Sequence, residues 1–200
     1  MNQRGKYKLK KRAQSQEETR LRIVRATLHL HETVGSTAAT ISAIAEKAGV
    51  SRPTIYSHFP DGLISLGWAC SSLELSENPL PDLQRWAQIA DPEERLRSAL
   101  AELYAYFRRR EGLWTNIVRD AKLVDMSEEL APITAHWERM KETLAAGWQA
   151  SDGASRPLLV GAIGLALDFN TWRTMVRQQG FTDEQGVELM TSTVRCVTGG

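Results

Sequence analysis

The chain is predicted to be all-α. No stretch alternates apolar and polar residues over five or more positions, the pattern that a half-buried strand requires. Helix start and stop signals recur along the whole length. Apolar residues return at i, i+3, i+4 and i+7 in segment after segment, the repeat of one helix face. Two hundred residues, 42% of them hydrophobic, suffice for one or two domains with a buried core.

A first helix is expected over about Gln16–Thr33, with Ile23, Ala26 and Leu30 on its core stripe and Gly35 beyond its end. Thr40 is a good N-cap for the second, because its hydroxyl can accept an orphan backbone N–H. Ile41, Ile44, Ala45 and Ala48 make its apolar stripe, and Gly49 sits where the left-handed C′ conformation is needed. Val50 plugs the turn. Ser51 caps a third helix, and Pro53 lies in its first turn, where a missing N–H costs nothing. Ile55 and Phe59 point inward at i, i+4. A fourth helix runs from near Gly62 to the linker Asn78-Pro79-Leu80-Pro81.

Asp91-Pro92-Glu93-Glu94 is a cap, a proline and two first-turn acids; Leu96, Ala99, Leu100, Leu103, Tyr104 and Phe107 follow on one face. Arg108-Arg109-Arg110 closes that helix as a solvated end favourable to its dipole. Gly112 breaks it and Leu113 to Leu123 resumes. Ser127-Glu128-Glu129 starts the next, through Pro132, Trp137, Met140, Leu144 and Trp148. Asp152-Gly153 is a turn. Ser155-Arg156-Pro157 opens a helix expected to continue to Gln179, and Thr182-Asp183-Glu184 caps a last one to about Val197. Nine or ten helices result.

The segment Thr40 to Phe59 has the spacing of a helix-turn-helix. Its outer side carries Arg52, Pro53, Tyr56, Ser57 and His58, groups suited to phosphates or base edges in a major groove. The same segment also suits an ordinary helical hairpin. Charge favours the nucleic-acid reading. Residues 1–60 hold 11 Lys/Arg against 4 Asp/Glu, a net +7, while residues 61–200 hold 14 against 20, a net −6. Arg4, Lys6, Lys8, Lys10, Lys11 and Arg12 stand in the first twelve residues with no acid among them. A basic end on an acidic protein is the footprint of a polyanion binder. A solubilising tail is the alternative for these residues.

The run IAEKAGVSRPTIYSHF resembles the signature of the tetracycline-repressor (TetR) family of bacterial regulators, and the similarity extends over residues 19–59. The resemblance implies an N-terminal helix-turn-helix three-helix domain and a C-terminal helical ligand-binding and dimerisation domain. The expected plan is a basic disordered arm over 1–15, a DNA-binding domain over 16–61 and an effector-binding and dimerisation domain over 62–200. Carried onto this chain, the DNA-binding residues are Thr40, Ser42, Ser51, Arg52, Pro53, Thr54, Tyr56, Ser57 and His58, with Lys10, Lys11 and Arg12 from the arm. One position departs: family members usually carry a basic residue three places after the Tyr-x-His-Phe element, and here Gly62 stands there.

The resemblance implies a homodimer on a palindromic operator, released by a small apolar or aromatic effector, with the fourth helix carrying the motion. Leu158, Ala162, Leu165, Phe169, Val187, Met190 and Val194 are the candidate dimer interface, with burial in the protomer's own core as the alternative. Six tryptophans are many for this length. Trp68, Tyr104, Phe107, Trp114, Ile117, Trp137, Met140, Asp168 and Trp172 are the candidate effector-binding residues, and Asn116, Arg119, His136 and Asn170 are further polar groups near these rings. Packing of each tryptophan in the core is the alternative, as is a hydrogen-bonded or interface role for Asp168. A ligandless regulator, whose C-terminal domain only dimerises or meets another protein, is the second functional reading.

No G-x-S-x-G, phosphate loop, H-E-x-x-H or glycine-rich dinucleotide turn occurs, so no enzyme chemistry and no cofactor are expected. Cys70 and Cys196 read as ordinary reduced thiols, and His29 and His31 lack ligand spacing, so no metal is expected. The basic N-terminus is followed by no apolar h-region, and the longest apolar run, Leu158 to Leu167, is far short of the ~20 residues of a membrane span. No membrane contact and a cytoplasmic location are therefore expected.

Overall fold

The structure, a computed structural model, describes residues 3–125, 127–148 and 155–198. No strand occurs among them. The helices are α1 (Gln3–Thr33), α2 (Ile41–Ala48), α3 (Arg52–His58), α4 (Leu63–Glu77), α5 (Leu83–Ala87), α6 (Pro92–Arg109), α7 (Glu111–Asp120), α8 (Ser127–Ala145), α9 (Ser155–Ala166), α10 (Phe169–Arg173) and α11 (Asp183–Val197), with a π-helical turn over Thr174–Gln178. That is more than the nine or ten expected. The short α5 is an addition to the expected set, and the single helix expected from Ser155 to Gln179 is three pieces.

The chain forms two compact units. One holds the residues up to Pro79 together with Gly112–Glu129; the other holds Leu80–Glu111 and the chain from Leu130 onward. The division differs from a cut at residue 61. Leu66 and Cys70 of α4 bury against Ile23, Ile44, Ile55 and Phe59, so α4 completes the core of the first unit. Each such fully buried aliphatic side chain contributes roughly 1.5–3 kcal/mol. Residues 3–15, expected as a disordered arm, continue α1. Between Lys6 and Thr33 there is neither proline nor glycine, and Lys, Arg, Gln and Glu are good helix formers. Gln14 and Glu18 support the turn between them with a 3.2 Å hydrogen bond.

In the first unit, α7 is bonded to the α1–α2 turn. Asn116 Nδ2 donates to the carbonyls of His31 and Glu32, both at 2.9 Å, satisfying the open C-terminal end of α1. Arg119 donates to Val34 O. Asp120 is fully buried and accepts from Ser36 Oγ (2.9 Å), Thr37 N (3.2 Å) and Arg119 Nε (2.7 Å). Burial pushes its carboxyl up, but the three donors prevail and hold it down at about 2. Gly35, at φ 97°, adopts a conformation that a side chain would strain, and a Cβ there would also displace the Arg119 guanidinium from its place beside Asp120.

The second unit begins α6 as the sequence specifies, with Asp91 accepting from Glu94 N at 2.7 Å ahead of Pro92. Leu96, Leu100, Leu103, Tyr104 and Phe107 of α6 are fully buried, as are Met140 and Leu144 of α8 and Leu159 and Ile163 of α9. The buried Arg95 guanidinium is satisfied by carbonyls alone among its hydrogen bonds: Ile89, Ala90, Thr143 and Ala146. It thereby joins the loop before α6 to the end of α8. Arg108 is not merely a solvated helix end. It grips Asp183 with two bonds (2.6 and 2.8 Å), and Asp183 also accepts from Trp172 Nε1.

Asp168 explains the break after α9. Its carboxylate accepts from Thr171 N at 2.9 Å and starts α10. The carbonyls released by the break are met by aromatic donors: Tyr104 Oη to Ala166 O at 2.9 Å and Trp137 Nε1 to Leu167 O at 3.3 Å. No helix among the described residues is long and apolar enough to cross a membrane.

Candidate nucleic-acid interface

The α2–α3 hairpin is built by its caps. Thr40 Oγ1 accepts from Ala43 N at 3.2 Å. Gly49, at φ 64° and ψ 41°, ends α2 in the left-handed conformation, and Val50 N reaches back to Ala45 O at 3.0 Å. Ser51 then accepts from Thr54 N at 3.3 Å and shares a 2.8 Å hydroxyl contact with Thr54. Ile55 and Phe59 are fully buried, as their i, i+4 spacing implies. Arg20 of α1 closes the far end of α3: its guanidinium lies 4.2 Å over the Phe59 ring and donates to His58 O at 3.0 Å.

These constraints fix which side of α3 faces out. Ser51, Arg52, Pro53, Tyr56 and Ser57 are exposed, as are Thr40 and Ser42 at the start of α2. Tyr56 keeps 46% of its surface. Thr54 and His58 are half-buried, turned toward a cleft beside α1. Lys10, Lys11 and Arg12 are exposed on α1, with Lys11 and Arg12 lining that cleft; Arg4, Lys6 and Lys8 carry no described side chains. Gly62 has φ 61°, which a lysine would adopt only with strain, so the turn into α4 accounts for the missing basic residue. Leu63 and Ile64 follow, 50% and 63% exposed.

The candidate effector residues fall in both units. Trp68, Trp114 and Ile117 belong to the first unit, and Asn116 and Arg119 are committed to the α1–α2 turn. In the second unit the rings pack on one another. Phe107 meets Phe169 edge-on at 5.3 Å, Trp172 at 5.8 Å and Trp137 at 6.3 Å. Tyr104 and Met140 of the same unit are fully buried. Burial raises the Tyr104 phenol, and the Asp183 and Asp168 charges push it the same way, so the hydroxyl stays a donor. Asp168 is occupied as the N-cap of α10. Asn170 is exposed. His136, 6.1 Å from Trp137, has a buried Nε2 without a hydrogen-bond partner, and burial lowers its pKa, followed by Arg139.

The candidate dimer residues separate by side. Ala162, Phe169, Val187 and Val194 are buried within the protomer, against expectation, because an apolar stripe does not say whether the protomer's own core or a second copy covers it. Met190 is half-buried. Leu158 and Leu165 stay 64% and 62% exposed on α9, and Leu189, outside the expected set, 43% on α11.

Residues 23–61 match the model of bacterial regulatory proteins of the tetR family. Among curated proteins no relative matches the chain. Among solved structures it is similar to a TetR-like transcriptional regulator from Rhodococcus sp. RHA1, at 19% identity and TM-score 0.65 over 91% of this chain and 96% of that one. It is similar to NalD, the secondary repressor of the MexAB-OprM multidrug efflux pump in Pseudomonas aeruginosa, at 20% identity and TM-score 0.62 over 92% and 97%. PfmR, a TetR family transcriptional regulator from Thermus thermophilus, gives 20% and 0.60 over 90% and 95%. At these identities the structural likeness establishes the fold. The α1–α3 segment thus matches the tetR family's own model, and the chain as a whole has the fold of these TetR-type regulators.

Proposed function

We propose that the protein is a non-enzymatic, cytoplasmic repressor that binds a palindromic operator as a homodimer and leaves it when a small apolar or aromatic molecule binds the C-terminal unit. The observation that carries DNA binding is the outward face of α3, with Arg52, Tyr56 and Ser57 free of the core while Ile55 and Phe59 anchor it. A helix presented this way enters a major groove with its N-terminal residues at the base edges. Dimerisation rests on Leu158 and Leu165, apolar and two turns apart on α9, and on Leu189 of α11. A second copy would cover them and set two reading helices about one duplex turn apart, roughly 34–36 Å.

Effector sensing is supported by the orphaned Nε2 of His136 beside Trp137, a buried polar atom that a ligand could satisfy. Release requires that the ligand favour a conformation whose reading heads are wrongly spaced. The close ring packing about Phe107 favours the second reading, a ligandless regulator whose C-terminal unit only dimerises or contacts a protein.

Selection of bound duplexes from random DNA at stated ionic strength tests the first claim; recovery of no preferred, two-fold symmetric site would defeat it. Tryptophan emission separates the two readings. A saturable quench by a small aromatic molecule, tracking loss of operator binding, supports sensing, and its absence across a diverse panel supports the ligandless alternative.

A further inference from the structure

We propose that His136 is the polar anchor of the effector site and that the effector is an aromatic molecule carrying a hydroxyl or N–H donor, an inference that rests on the reading of the C-terminal unit as a ligand sensor. His136 lies on α8 next to Trp137, and the two ring centroids are 6.1 Å apart. Its Nε2 is closed off from solvent and has no hydrogen-bond partner. Nearly all buried polar atoms in folded proteins are paired, so an orphan of this kind marks a place where a partner can gain. Trp137 leads into the ring cluster of the same unit: Phe107 lies 6.3 Å from it and meets Phe169 and Trp172 in turn. Those faces suit the aromatic body of a ligand.

The surroundings of the ring decide what Nε2 can accept. Burial lowers the His136 pKa, and the Arg139 guanidinium three residues on pushes the same way, so the imidazole is neutral at pH 7. The Pro81 carbonyl hydrogen-bonds the ring. A carbonyl only accepts, so the single ring proton sits on Nδ1 toward Pro81, and Nε2 keeps a bare lone pair. A lone pair selects a donor. Hydrocarbons, ethers and quaternary ammonium ions offer none, whereas phenols and indoles do. Because Nε2 is closed in this conformation, a donor reaches it only in a more open one. The ligand therefore has different affinities for the two, as release of the operator requires. Pro81 comes four residues after α4 ends at Glu77, so the ring that would hold the ligand also holds the segment leading out of α4.

The test uses the full-length protein and matched pairs of probes that differ by one donor: para-ethylphenol and its methyl ether, beta-naphthol and its methyl ether, indole and N-methylindole. Calorimetry gives the affinities, and the anisotropy of the labelled, selected operator gives release. In each pair that binds, the donor-bearing member should bind about tenfold more tightly and release the operator at the lower concentration. His136→Phe should abolish the difference within each pair, and His136→Gln, which offers an accepting oxygen, should restore part of it. Equal binding within the pairs by the wild type overturns the role of His136 and leaves sensing in place, Nε2 then answering to water alone. Release by members of the wider panel that all lack a donor has the same meaning. No release by any of these probes or by that panel removes the sensing reading and the anchor with it. The comparison on the wild type needs no substitution, so it decides the case whether or not the variants fold.

Discussion

Asp120→Asn removes one charge from the joint between α7 and the α1–α2 turn, and its effect follows from the geometry there. The carboxyl lies at about 2 in the folded protein against 3.8 for the ordinary group. A difference of about 1.8 units at about 1.36 kcal/mol each gives about 2.5 kcal/mol of stability. Because the folded value is depressed, this stability is fully present above pH ~4 and is lost as pH falls toward 2; about half remains at pH 3. The amide keeps an accepting oxygen but turns N–H donors toward a site already filled by donors from Ser36, Thr37 and Arg119. We expect a loss of about 2–3 kcal/mol at pH 7, near the value of hydrogen bonds to a charged group. Urea unfolding followed by far-UV circular dichroism at pH 7, 4 and 3 measures it. The variant should converge on the wild type as pH falls. A variant within about 0.5 kcal/mol of wild type at pH 7, or one with an unchanged acid dependence, would refute the joint as described.

Tyr56→Ala should weaken operator binding at least about fivefold, the low end for loss of one good base contact, with folding and self-association intact; unchanged affinity at fixed salt would mean another face meets the duplex. Leu165→Arg should convert the dimer to monomer in sedimentation without loss of helicity, since that side chain is already 62% exposed in the protomer, and an undiminished dimer would move the interface off α9. Arg95→Lys should cost about 3 kcal/mol, because a single ammonium cannot reach the four carbonyls that the planar fork satisfies. A calorimetric melting point within a degree or two of wild type would contradict that account.

The parts of the fold legible in the sequence are those whose signals are local. Thr40, Gly49, Ser51 and Asp91 each stabilise a helix end through groups a few residues away, so their spacing alone places α2, α3 and α6. The break at Asp168 is not legible in this way. It depends on Tyr104 and Trp137, distant in sequence, meeting the carbonyls that the break exposes. Asn116 and Arg119 read as ligand groups for the same reason: their partners at residues 31–34 lie some 85 positions away. For the proposed dimer face, an apolar stripe does not say whether the protomer's own core or a second copy covers it, and Val187 and Val194 turn out to face the core. The α1 extension follows from propensity that a basic-tail reading sets aside.

A seven-residue helix is too short to persist by itself in water. The reading helix holds its shape because Ser51, Phe59 and the Arg20 clamp grip it at both ends and from below. Its outward side chains therefore bear almost none of the folding load. Mutation can rewrite them freely, and a lineage carrying this scaffold could drift from one operator to another without passing through an unstable protein.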